Sequence, residues 1–144
     1  MDPTISVAII GATASILIAA LTFFFTKKSE RKDALQQRKL ERYQELLGAI
    51  SDLAIDDVDK VDANLRFAKS VNTIVLVAPQ KLINALMEFH DEVKFSNPNK
   101  SQGGHDNKLR NLILEMRKSL ELPFDDDPKK FNFHLVGSKP KQHK

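Results

Sequence analysis

The chain has 144 residues, no cysteine and a formal net charge of +3. The lack of cysteine excludes a disulfide scaffold, a thiolate zinc site, an iron–sulfur cluster and a cysteine nucleophile. Charge is distributed unevenly: residues 5–25 carry none, whereas residues 27–144 hold all 22 Lys and Arg residues and 18 of the 19 Asp and Glu residues. This segregation excludes an ordinary soluble protein of one domain.

Residues 5–25 form an uninterrupted apolar segment. A helix of this length rises by about 30 Å, the hydrocarbon thickness of a bilayer. The core helix of a soluble protein is the weaker alternative, because such helices rarely run so long without a charge. A cleaved signal peptide would begin with positive charge, but this chain begins Met-Asp-Pro-Thr. We therefore predict an uncleaved transmembrane anchor over residues 1–26.

Basic residues follow the apolar segment, and the relevant set is Lys27, Lys28, Arg31, Lys32, Arg38 and Lys39. Positive charge on this side predicts a single-pass protein of the cell inner (plasma) membrane, with its N-terminus outside and its C-terminal part in the cytoplasm. The same residues would attract anionic lipid headgroups. Alternatively, they act only as a topology signal.

Small residues recur on one side of the predicted anchor, at Ala8, Gly11, Ala12, Ser15 and Ala19. Small residues spaced by four allow two helices to approach closely in lipid, where packing drives association. The pattern predicts helix–helix packing and a homo-oligomer. The alternative is the ordinary composition of a membrane anchor, in which Ala and Gly are common.

Residues 27–55 are predicted to form a basic juxtamembrane stalk that continues into the first cytoplasmic helix. The stretch from Lys27 to Leu53 contains no Pro, has Gly48 as its only Gly, and is rich in strong helix formers. An acidic run then extends from Asp52 to Asp62. It lacks the central Gly and closing Glu of a calcium loop, so it indicates a helix boundary.

Residues 56–122 are predicted to complete a helical bundle. The second helix is expected from about Val58 to Val71, with its inward positions at Val58, Val61, Leu65 and Ala68. The third begins near Pro79, and its apolar spacing places Leu82, Ile83, Leu86, Phe89, His90 and Val93 on one face. Between these helices, the apolar run 72–79 is read as a helix end or a buried connector.

Residues 96–107 are predicted to be a loop, since they contain Pro, two Gly and many short polar residues. Asp106 or Asn107 would then cap a last helix that ends at about Leu120. Residues 123–144 are predicted to form a partly disordered tail, in which 139–144 are disordered and 131–136 dock as a short extended strand. The predicted class is all-α: an N-terminal transmembrane helix followed by a small cytoplasmic bundle of about four helices.

Motifs for chemistry are absent from the sequence. The four histidines, at positions 90, 105, 134 and 143, have neither metal-ligand spacing nor a paired carboxylate motif. There is no Gly-x-Ser-x-Gly, no P-loop and no Gly-x-Gly-x-x-Gly. We therefore predict no catalytic residue, no cofactor site and no metal site, and a protein that is not an enzyme.

Three segments carry a family resemblance: Tyr43-Gln-Glu-Leu-Leu, the helix from Pro79 to Phe89, and Met116-Arg-Lys-Ser-Leu. They resemble uncharacterised bacterial single-pass membrane proteins with a small helical cytoplasmic domain. In organisation, the chain is similar to membrane accessory proteins of type VI CRISPR systems, which join a span to a divergent HEPN-like bundle. The Arg-x(4–6)-His motif of HEPN ribonucleases is missing after Arg66, Arg110 and Arg117, so no nuclease residue carries over.

Two functions remain open at this point. The first is a non-enzymatic inner-membrane protein that self-associates, and the resemblance implies a membrane-perturbing effector or accessory protein in bacterial anti-phage defence. The alternative is a membrane-tethered adaptor whose helical domain binds a cytosolic protein or RNA. The expected partners are therefore the membrane, further copies of the chain and a cytosolic protein. Nucleic acid is disfavoured, because the basic cluster lies where lipid competes for it.

Overall fold

The computed structural model describes residues 2–55 and 58–136, which form four helices and no strand. The helices are α1 (Pro3–Ala54), α2 (Lys60–Ile74), α3 (Gln80–Val93) and α4 (Gln102–Ser119). The predicted all-α class is confirmed. The chain divides into two compact units, residues 1–37 and 38–144, and α1 contributes to both. The finer divisions at residues 26, 55 and 122 stay predictions.

The first unit is the N-terminal part of α1. No Pro or charged residue interrupts the helix between residues 4 and 26, and the helix formers that follow continue it without a break. By length and composition this helix can cross a membrane, and its apolar stretch is not buried within the protein.

The core of the second unit lies among the end of α1 and helices α2, α3 and α4. Its fully buried large side chains are Leu46, Ile74, Leu82, Leu86, Phe89, Leu109 and Leu112. Helix α3 follows its predicted pattern, because Leu82, Leu86 and Phe89 recur every three or four residues and all face this core. Pro79 lies just before the first turn of α3, close to its expected position.

Helix α2 buries a different face from the one predicted. Ala63, Phe67 and Ile74 are buried, whereas Val61 is 80% exposed and Leu65 is 67% exposed. Ala68 is also exposed, and Val58 is half-buried in the turn that precedes the helix. The predicted inward set is therefore wrong. Burying Phe67 together with Ile74 removes more apolar area from water than burying Val61 together with Leu65.

Helix α4 begins five or six residues earlier than predicted, so the loop prediction for 102–107 and the cap at Asp106 or Asn107 are wrong. Ser101 is the N-cap, and its Oγ accepts a hydrogen bond from the Gly104 backbone N–H at 3.0 Å. The Ser101 backbone N–H donates to Glu92 Oε1 at 3.2 Å. The Glu92 carboxylate of α3 thus helps to begin α4, although two of the first three residues of α4 are Gly.

The segment after α4 forms no strand within its described part, residues 120–136, but it does pack against the core. Phe133 and Leu135 contact the buried cluster, with exposed residues between and after them. Arg117 holds this segment through two hydrogen bonds to Asp126, at 2.6 and 3.1 Å, and its guanidinium lies 5.6 Å from the ring of Phe131. The predicted disorder at 139–144, and Asp56 and Asp57 of the acidic run, lie outside the described residues.

Candidate membrane helix and basic groove

The predicted packing residues of the first unit lie on one exposed face of α1. At 3.6 residues per turn they fall within an arc of about 100°. We call this set the small-residue face: Ala8, Gly11, Ala12, Ser15 and Ala19, all exposed. A Cβ added at Gly11 would meet nothing within 4 Å, so the face is open in the single chain. Its role between copies stays a prediction.

Hydroxyl groups in the apolar stretch hydrogen-bond to their own helix. Thr13 Oγ1 donates to the Ile9 carbonyl at 2.7 Å, and Ser15 Oγ donates to the Gly11 carbonyl at 2.9 Å. A hydroxyl without a partner is costly in hydrocarbon, and these bonds remove that cost. Thr13 and Ser15 are therefore compatible with a lipid environment.

The basic residues of the first unit lie on the opposite side of α1 from the small-residue face. Counted at about 100° per residue, Lys27, Lys28, Arg31 and Lys32 are centred roughly 180° away from it. Glu30 lies nearer the small-residue side, and its carboxylate pairs with Lys27 Nζ at 2.8 Å. The helix therefore separates small residues from positive charge.

Arg38 and Lys39, the last two predicted headgroup residues, belong to the second unit. Lys39 Nζ donates to the Ser119 carbonyl at the end of α4, at 3.2 Å. Tyr43, one turn further on, is 3% exposed, and its hydroxyl lies 2.7 Å from Ser119 Oγ. Lys39 therefore has a structural role that the sequence pattern did not indicate.

A groove of about 850 Å³ lies within the second unit. The end of α1, α2, α3, the α3–α4 loop, α4 and the segment after α4 all contribute to its walls. Apolar side chains form part of the wall, including the buried rings of Phe67 and Phe89. We call this cavity the basic groove, because of the residues described next.

Three histidines that the sequence analysis treated separately meet at the basic groove: His90, His105 and His134. The ring of His90 stacks on Phe67 at 6.3 Å, and the ring of His105 packs edge-on to Phe89 at 5.4 Å. Such contacts fix the orientation of each imidazole relative to the cavity. Positions 44 residues apart along the chain thus share one site, and no local motif marks it.

Among the described residues that line the groove, Asp106 is the only carboxylate. Its Oδ1 lies 3.0 Å from His105 Nδ1 and 2.9 Å from Gln102 Nε2. The hydrogen bond from His105 lowers the pKa of Asp106 below its usual value, and the charge on His134 acts in the same direction. The carboxylate is therefore ionised at neutral pH and engaged with its neighbours.

Three lysines also line the groove, at positions 60, 94 and 100. Lys60 Nζ donates to the carbonyls of Leu53 and Ile55, at 2.8 and 2.6 Å. Lys94 Nζ pairs with Asp91, which is not in the groove, at 3.0 Å. With three lysines, three histidines and one aspartate, the described lining is positive at neutral pH.

No Ser, Thr or Cys is found among the described residues that line the groove. Across the described residues, no three His, Asp or Glu side chains converge as they would around a metal ion. Comparison with models of protein families, with curated proteins and with solved structures gave no match.

Proposed function

We propose that the chain is a non-enzymatic single-pass membrane protein that self-associates through the small-residue face of α1 and carries its second unit in the cytoplasm. The observation that carries the proposal is the exposed apolar surface of the first unit. Eleven large hydrophobic side chains between Ile5 and Phe25 are each 51–69% exposed. A soluble monomer rarely exposes a continuous apolar surface of that size, whereas lipid would cover it.

Self-association is supported by what the small-residue face lacks. It has no bulky side chain, and the Lys and Arg residues of the first unit lie on the opposite side of the helix. Two copies could therefore bring their backbones together at Gly11 and Ser15 without bringing positive charges together. Packing of this kind is the main source of helix association in lipid, where the hydrophobic effect contributes little between helices.

The test is cross-linking of the full chain in membranes. Gly11→Leu and Ser15→Leu should each reduce the cross-linked species, because a bulky side chain separates the backbones. The matched control is Ala20→Leu, which is the same type of change at a position off the face and should cross-link like the wild type.

Equal cross-linking of all three variants and the wild type would refute association through this face. A wild-type chain that is monomeric at every concentration would refute self-association altogether. Neither result would bear on membrane insertion, since each variant keeps the segment apolar.

The proposed orientation follows from the basic residues after the segment and is tested separately. A reporter fused to the C-terminus should behave as cytoplasmic. Green fluorescent protein, for example, should be fluorescent at that position. Alkaline phosphatase, which is active only outside the cytoplasm, should be inactive there. The opposite pair of results would reverse the topology. Adding several Lys residues before Ile5 should weaken the preference.

A membrane-tethered adaptor is the second candidate, and the basic groove favours it. An adaptor needs a recognition surface on the second unit, and the groove offers a cavity with both apolar and charged walls. A role as a membrane-perturbing effector in bacterial defence rests on the resemblance in organisation. Overproduction of the chain distinguishes these two functions. An effector should depolarise the membrane, whereas an adaptor should leave the membrane potential unchanged.

A further inference from the structure

We infer that the basic groove is a binding site for a small organic anion with an aromatic body, joined to a phosphate or carboxylate group. The inference concerns the second unit alone and does not rest on membrane insertion or self-association. A cavity of about 850 Å³ lies within the range of small-molecule sites, roughly 300–1,000 Å³.

Aromatic and aliphatic walls define the part of the ligand that would lie deepest. The buried rings of Phe67 and Phe89 line the cavity, and each has an imidazole packed against it. A flat apolar ligand body would therefore meet rings whose positions are already set. Pre-formed walls reduce the ordering cost of binding, which is the usual condition for a small-molecule site.

Charge defines the other part of the ligand. The described lining holds the lysines at 60, 94 and 100 but one carboxylate, that of Asp106. Asp106 Oδ1 already accepts hydrogen bonds from His105 and Gln102, which makes that oxygen less available to a cationic ligand. The imidazoles of His90, His105 and His134 add hydrogen-bond donors, which suit phosphate and carboxylate oxygens. The lining thus complements an anion rather than a cation or a neutral molecule.

Phe95 provides a reporter for the experiment. Its side chain is 97% exposed beside the groove, and Lys100 Nζ lies 5.5 Å from its ring. The chain has no Trp, so Phe95→Trp introduces a single Trp fluorophore next to the site. The larger ring also preserves the cation–π contact with Lys100. The full chain with this change, purified in a mild detergent, serves as the reference protein.

Three probes share one ring and differ in charge: phenyl phosphate, benzoate and neutral benzamide. Saturable changes in Trp emission should give the tightest binding for phenyl phosphate, weaker binding for benzoate and the weakest for benzamide. Lys94→Gln should weaken phenyl phosphate binding about two- to fivefold, the range expected for a partly exposed charge pair, and leave benzamide unchanged.

Two further variants separate site binding from damage and from general charge. Lys108→Gln is the matched control, because Lys108 is also in an exposed ion pair, with Glu88 at 2.8 Å, but does not line the groove. It should bind phenyl phosphate like the reference. Asp106→Asn removes the one carboxylate of the described lining and should strengthen phenyl phosphate binding, a gain that a damaged fold would not produce.

The inference is overturned if no probe gives a saturable signal, or if benzamide binds as tightly as the two anions. It is also overturned if Lys94→Gln and Lys108→Gln weaken binding equally, since that result would reflect the overall charge of the protein. Weaker binding by Asp106→Asn, with the helical circular dichroism unchanged, would likewise contradict it.

Discussion

The first turn of α4 contains two adjacent glycines whose replacement by alanine should have different effects. Gly103 is exposed, and a Cβ there would meet nothing within 4 Å. Gly104 is half-buried, and a Cβ there would overlap the carboxylate of Glu92. Neither glycine has a positive φ, so alanine can adopt both backbone conformations.

Gly103→Ala should stabilise the second unit by about 0.5–1 kcal/mol, because alanine loses less backbone entropy than glycine in a helix. Gly104→Ala brings the same gain but must displace the Glu92 side chain. That carboxylate accepts the Ser101 backbone N–H and lies at the positive end of α4, interactions that together contribute about 1–2 kcal/mol. We therefore expect Gly104→Ala to be neutral or destabilising by up to about 1 kcal/mol.

The measurement is denaturant unfolding of the full chain in detergent, followed by far-ultraviolet circular dichroism. In a domain of this size, a change of 1 kcal/mol also moves the melting temperature by about 4–8 °C. A double-mutant cycle with Glu92→Ala isolates the contact: without the carboxylate, most of the difference between Gly104→Ala and Gly103→Ala should disappear, and what remains reflects the close approach of the new Cβ to Ser101 Oγ, at 3.0 Å. Equal stabilisation by the two single variants would refute the reasoning, since Glu92 would then move aside at no cost.

Leu86→Asp should unfold the second unit, because it places an unpaired charge at a position that is 1% exposed. Leu65→Asp, on the exposed face of α2, should change the free energy of unfolding by less than about 0.5 kcal/mol in the same assay. Equal destabilisation by both would mean that α2 buries the face predicted from the sequence. Tyr43 is the only Tyr in the chain, so titration of its phenolate absorbance is specific to one site. Burial raises the pKa of Tyr43 above its ordinary value of 10.0, so the neutral phenol stabilises the fold below about pH 10 and that stability is lost as the pH rises through the higher folded value. A midpoint near 10 in the folded chain would contradict this prediction.

Features that depend on residues close together in the sequence were predictable. An uncharged stretch from Ile5 to Phe25 and the helix formers that follow it determine a long helix without any tertiary contact. The apolar positions of α3 recur at the helical period, and Leu82, Leu86 and Phe89 are indeed buried. Local rules succeed here because intrinsic propensity and periodicity indicate the same structure.

Tertiary packing decided the features that require a choice among local alternatives. Helix α2 has two apolar faces, and the face that carries Phe67 is the one that packs into the core with the other helices. The start of α4 depended on Glu92, nine residues before the cap at Ser101. Sequence patterns cannot rank such options, because the competing free energies come from contacts between separate elements.

The basic groove is the clearest case of a feature that the sequence did not reveal. Its histidines at 90, 105 and 134 occupy two different helices and the segment after them, and each one in isolation resembles an ordinary surface or boundary residue. The sequence by itself indicated the four helices, apart from the first residues of α4, and showed that one of them is apolar enough to cross a membrane. Only the packing of the second unit brought its positive side chains to one cavity, because proximity across elements is set by how their apolar faces meet.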